Sequence, residues 1–207
     1  MPKIVESSRS NQRRRTRKDL LTAAARLLKE GRTPDMDDVA EAAMVSRATA
    51  YRYFPSIEAL LVEAPLEGAM PDPAAIFADD HSTDPAERVD AAEAALHEMC
   101  YRNEAQLRVM LAASLERAGK AGATPDVPVR QNRRAPLIEA ALAPARGRFT
   151  DGSYKRLCAA LALIFGTESM IVFRDVLALD ERTARRVKSW AAKALVNAAL
   201  KESGARR

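Results

Sequence analysis

The stretch DMDDVAEAAMVSRATAYRYF, residues Asp35–Phe54, decides how this chain is built. Met36, Val39, Ala40 and Ala43 recur at the spacing of one helical face. Asp35 stands ahead of them as an N-cap, with Asp38 three residues later in the capping-box position. Met44, Val45 and Ser46 then make a three-residue turn, and Ser46 is the natural N-cap of a second short helix that ends before Pro55. Two short helices around such a turn have the size and punctuation of a helix-turn-helix, in which the N-terminal turn of the second helix is free to enter a DNA major groove. Ala50 and Phe54, four apart, can face the core of that module. Arg47, Ala48, Thr49, Tyr51, Arg52 and Tyr53 are left on the other faces. Phenols and hydroxyls donate to phosphate oxygens, and an arginine at a helix start can reach guanine.

Working outward, Leu20, Leu21, Ala24, Leu27 and Leu28 give an apolar stripe to a helix over Thr16–Leu28, stopped by Gly31. After Pro55, Ser56 caps a fourth helix whose face is Ile57, Leu60, Leu61 and Ala64. Residues 1–12 are polar and unpatterned, and the expectation is a disordered basic arm over 1–13 followed by a helical module over 14–66. Residues 68–83, rich in Pro, Gly and Asp, read as a linker. Asp84-Pro85-Ala86-Glu87 is a strong helix start. It opens a larger helical module over 84–203. Within it, helices are expected to about Arg102, over Asn103–Ala118, over Val129–Leu142 with a stop at Pro144, over Ser153–Leu177 and over Asp180–Lys201. Nothing alternates with period two, so the fold class is all-α.

Composition and charge agree. Of 207 residues, 47% are hydrophobic, 29% charged and only 5% aromatic, a globular composition that disfavours a disulfide scaffold or bulk disorder. No apolar run approaches the ~18 residues of a membrane span. Basic residues at the N-terminus have no apolar stretch behind them, and Cys100 and Cys158 form no framework. The expectation is a cytoplasmic chain with no membrane association. The net charge of +5 is unevenly spread: Met1–Pro34 holds ten Lys or Arg against three acids, which leaves −2 for the rest. Arg13, Arg14, Arg15, Arg17 and Lys18 are the densest part of that basic segment, the electrostatic footprint of a protein that meets an anionic polymer.

Four blocks now stand in order: Leu20–Leu28, Asp37–Ala43, Val45–Ser56 and Glu58–Leu60. From about Arg14 to Glu63 they resemble the DNA-binding module of the tetracycline-repressor (TetR) family. The resemblance implies that Arg47 and Ala48 approach base edges, that Thr49 and Tyr53 hold phosphates, and that Tyr51 does either. With the cap Ser46, Arg52 and the basic residues Arg13 to Lys18, these are the candidate DNA-binding residues. Two positions depart from the family pattern. Met44 stands where the turn usually has Gly, at a cost of ~1 kcal/mol if the backbone there needs positive φ. Ile57 replaces the lysine that commonly precedes the glutamate and meets a phosphate.

Beyond the module, Phe165–Asp175 and Trp190–Leu195 are similar to the last two helices of many such regulators. The resemblance implies a four-helix homodimer interface, for which Leu161, Ile164, Ile171, Val172, Trp190 and Leu195 are the candidates. The apolar surplus along Ser153–Leu177 points the same way. Met99, Cys100, Tyr101, Met110, Phe165, Glu168 and Met170 are candidate lining for an effector cavity, since soft and aromatic side chains suit one. His81 and His97 are too few and too scattered for a metal site, and no nucleophile, phosphate-loop or paired-carboxylate motif appears. The sequence thus predicts a non-enzymatic regulator without metal or cofactor. Its partners would be a double-stranded DNA operator, a second copy of itself and a small-molecule effector. The rival from another class is a helical protein-interaction adaptor whose basic arm binds without sequence preference.

Overall fold

A computed structural model of the chain describes residues 8–119 and 132–204. Every regular element among them is helical. In chain order they are α1 (Ser8–Lys29), α2 (Met36–Ala42), α3 (Arg47–Tyr53), α4 (Ile57–Ala69), α5 (Pro73–Ile76), α6 (Pro85–Arg102), α7 (Glu104–Gly119), α8 (Ala135–Leu142), a 3-10 segment (Ala143–Arg148), α9 (Asp151–Ile164), α10 (Thr167–Ile171), a π turn (Val172–Val176) and α11 (Glu181–Gly204). They form two compact units. The first holds the described residues up to Ala69 together with those of 105–131, and the second those of 70–104 and 132–207.

In the first unit the capping chemistry sets the helix ends. The Asp35 carboxylate accepts from the amides of Asp37 and Asp38, and the Asp38 carboxylate in turn accepts from the Asp35 amide. Ser46 Oγ accepts from the Thr49 amide at 3.1 Å and starts α3. Leu20, Leu21, Ala24 and Leu27 of α1 bury against Met36, Val39 and Ala40 of α2, Ala50 and Phe54 around α3, and Leu60 and Ala64 of α4. At ~25 cal/mol per Å2 of apolar surface, this shared core is what holds such short helices, which are too short to persist alone. α1 begins at Ser8 rather than Thr16, so Arg13, Arg14 and Arg15 lie within a helix and not in an extended arm. Residues 1–7 of the expected arm lie outside the described residues.

The second unit contains α6, packed on α8 and α11, with α9 also against α11. Asp84 and Pro85 start α6 as expected, and Asp80, Ser82 and the one-turn α5 occupy part of the expected linker. Two arginines take over the carbonyls that helix ends leave unpaired. Buried Arg88 donates to the carbonyls of Ala140 and Ala141 at the end of α8, with its guanidinium 3.9 Å from the Phe77 ring centroid. Arg134 donates to the Ala162 carbonyl near the end of α9 and to the Glu168 carboxylate.

Three expectations need correction here. Ser153–Leu177 is not one helix, because Gly166 takes φ 102°, ψ −162°, and breaks it into α9 and α10 with a 45° bend. That backbone region is essentially closed to residues with a Cβ. The helix ahead of Pro144 ends at Leu142 as expected, with Pro144 in the 3-10 segment that follows, but it starts at Ala135 rather than Val129, with residues 120–131 outside the described set. The module expected over 84–203 is not continuous either, since α7 from Ala105 onward belongs with the first unit.

Candidate nucleic-acid interface

The turn between α2 and α3 places Met44 at φ 55°, in the left-handed region, with its side chain 92% exposed. The cost anticipated for a non-glycine residue is therefore incurred, and no packing of the methionine offsets it. From this turn α3 emerges with Ala50 buried and Phe54 sealing its far end. Arg47, Ala48, Tyr51 and Arg52 are exposed. Thr49 and Tyr53 are half-buried, the first bonded through its hydroxyl to Ser46 at 3.0 Å, the second packed on the core.

Arg47 is held in place. Its Nη1 donates to Asp37 Oδ2 at 2.6 Å, and its guanidinium carbon lies 5.5 Å from the Tyr51 ring centroid. The Tyr51 hydroxyl, then Asp37, hold its pKa above the ordinary arginine value. Arg52 lies 5.5 Å from the Tyr53 ring centroid. The exposed side of α3 thus carries two cationic guanidinium groups and a neutral phenol, donors of the kind that meet phosphates and base edges.

Of the basic residues on α1, Arg13, Arg15 and Lys18 are exposed. Arg17 is a correction. Both its terminal nitrogens donate to the Glu63 carboxylate at 2.6 Å, its side chain is only 12% exposed, and it stacks on Phe54 at 4.5 Å. A guanidinium committed in this way ties α1 to α4 and is not presented to an outside anion. Ile57, where a phosphate-binding lysine was expected by resemblance, is half-buried against the core.

The candidates beyond this module are spread out. Met99, Cys100, Phe165 and Met170 are buried in the second unit and Tyr101 is half-buried there, whereas Met110 is on α7 in the first unit. Glu168 accepts from Arg134 at 2.7 Å. A surface depression of about 440 Å3 on α11 is lined by Arg185, Arg186, Ser189 and Trp190, none of them an expected lining residue. Among the interface candidates Leu161 is wholly buried inside its own unit and must be removed from the set. Ile164, Ile171 and Leu195 are half-buried, and Val172 and Trp190 are exposed.

The sequence pattern also missed a buried polar cluster. Glu93 and His97 of α6 meet Lys188 of α11, all three at most 4% exposed. Lys188 Nζ donates to Glu93 Oε1 at 2.8 Å and to His97 Nδ1 at 3.3 Å. Burial, then the positive charges of Lys188 and Arg185, push the His97 pKa down to about 4. Burial pushes the Glu93 carboxyl up, against the pull of Lys188. The signal was present: Glu93 and His97 fall four and eight residues after Val89, on the face of α6 that buries Val89, Leu96 and Cys100.

Residues 20–64 match the family model described as bacterial regulatory proteins, tetR family. They form a tetR-type helix-turn-helix domain. It covers less than a quarter of the chain and contains α2, α3 and most of α4. No curated protein matches the chain. Among solved structures, a TetR transcriptional regulator from Rhodococcus sp. RHA1 is similar at 19% identity and a TM-score of 0.48, over 89% of this chain and 97% of that one.

Proposed function

We propose that the chain is a DNA-binding transcriptional repressor. It holds a palindromic double-stranded operator as a homodimer in the cytoplasm, has no catalytic activity and is released by a small-molecule effector. The supporting observation is the exposed cationic side of α3, with Arg47, Ala48, Tyr51 and Arg52 projecting from a tetR-type domain whose other side is core. One such helix covers only a few base pairs, so specificity calls for two copies reading half-sites about 34–36 Å apart. Selection of bound duplexes from a random pool tests this directly. The expected outcome is a two-fold symmetric consensus, at which Arg47→Ala relaxes one position per half-site by about 1–3 kcal/mol. Recovery of unrelated sequences with equal affinity would favour an adaptor whose basic residues bind any polyanion.

A further inference from the structure

Three carboxylates crowd the first turn of α2, and two of them are used up by the fold. Asp35 caps the helix. Asp38 accepts from the Asp35 amide at 3.0 Å and from Arg32 Nη2 at 2.7 Å. Asp37 is different: its amide is fixed by the Asp35 cap at 2.9 Å, but its carboxylate reaches across the turn to Arg47, the first residue of α3. The pair is mostly in water, with the two side chains 63% and 53% exposed. Exposed pairs of this kind contribute little to folding.

We infer that Asp37 is a positioning residue for Arg47 and makes the DNA contact of Arg47 conditional on the base beneath it. The inference rests on the DNA-binding reading above. Only Nη1 is bonded to the carboxylate, and the guanidinium is steered over the Tyr51 ring, so it is held in one direction at the start of α3. If Arg47 turns to a phosphate, it exchanges one anionic oxygen for another and leaves Asp37 unpaired beside a polyanion. Guanine presents two neutral acceptors, N7 and O6, to a guanidinium fork. The donors engaged by neither Asp37 nor the Tyr51 hydroxyl can meet that edge while the ion pair persists. Asp37 therefore opposes contacts that carry no sequence information more strongly than it opposes the correct one.

The test uses full-length protein, the selected duplex and a random duplex of equal length, titrated over a range of salt. Asp37→Asn should tighten the random duplex about threefold to fivefold, the upper part of the range of one exposed ion pair. It should change the selected duplex by less than twofold, so the specificity ratio falls. On the random duplex the log–log salt slope should steepen by about 0.9, one additional phosphate. Asp37→Glu should restore much of the ratio. In an Arg47→Ala background, Asp37→Asn should alter both duplexes by the same factor. Thermal melts of each variant check that the exposed substitutions leave the fold intact. Equal tightening of both duplexes by Asp37→Asn in protein that retains Arg47 would mean that Asp37 acts as a general repulsive charge, which overturns the inference while leaving sequence-specific binding in place. A wild-type protein with no preference for any duplex overturns the DNA reading itself, and the inference with it.

Discussion

Arg15 and Arg17 are two residues apart and look alike in the sequence, yet their surroundings assign them different work. Arg15 is exposed, whereas Arg17 is clamped to Glu63 with both side chains nearly buried. Removing one partner of such a pair strands the other charge, at a cost of about 3–5 kcal/mol. Arg17→Ala should therefore lower the urea midpoint of the first unit, and the salt slope of DNA binding should stay the same where the protein remains folded. Arg15→Ala should do the reverse, leaving the midpoint unchanged and flattening the slope by up to about 0.9 if it meets a phosphate. Met44 makes a second contrast. It has a left-handed φ of 55° and almost no packing to lose. Met44→Gly should raise stability by up to about 1 kcal/mol, read as a higher denaturation midpoint at constant m. A loss of stability would mean that the added freedom of the unfolded chain outweighs the relief of strain.

Several helix starts were legible because a polar side chain announces them, although the caps Thr150 and Asp72 passed unread. Asp35, Ser46 and Asp84 each cap the helix expected of them. The break at Gly166 was obscured because apolar residues continue on both sides of it, and periodicity does not register a change of direction. The exposed side of α3 was legible too, since each residue there has its polar group at a predictable angle from Ala50. The cluster between α6 and α11 was legible only as a position on the buried face of α6, because a charged side chain is assigned to solvent unless its partner, here 95 residues away at Lys188, is known. That cluster has a pH signature. His97 is neutral when folded down to about pH 4, against about 6.5 for a free imidazole, so the unfolded chain binds its proton first as pH falls. Its contribution is fully present above pH 6.5 and is lost on descent toward pH 4, to the extent of about 3 kcal/mol. Glu93 has a raised pKa and works in the opposite direction at the acid end, so the raw profile mixes the two. Substituting His97→Gln and measuring urea midpoints from pH 7.5 to pH 4 isolates the histidine. The variant should lose less stability over that interval than the wild type, and parallel curves would show that His97 does not titrate there.

At the scale of the whole molecule the question is what covers the apolar side chains that the second unit leaves in water. Leu163 on α9 is 78% exposed, Val176 is 72% exposed, and Trp190 on α11 is 72% exposed. A fully buried tryptophan contributes strongly to an interface, whereas one left in solvent carries only the cost of its hydration. The proposed homodimer supplies the missing cover, and it also supplies the second DNA-reading helix that specificity demands. These exposed positions test the dimer better than Leu161, whose substitution would injure the internal core. Trp190→Glu places a charge on the surface of α11 without disturbing its packing on α6 or α9. Sedimentation at micromolar concentration should give a dimer for the wild type and a monomer for the variant, with the same helical content by circular dichroism. The monomer should retain the weak, salt-sensitive affinity of a single tetR-type domain for any duplex and lose its preference for the selected one. A variant that remains dimeric would place the interface on another surface. A wild type that sediments as a monomer would remove the geometry by which an effector changes the spacing of two half-site readers, because that leverage exists only as a difference in affinity between two arrangements of a pair.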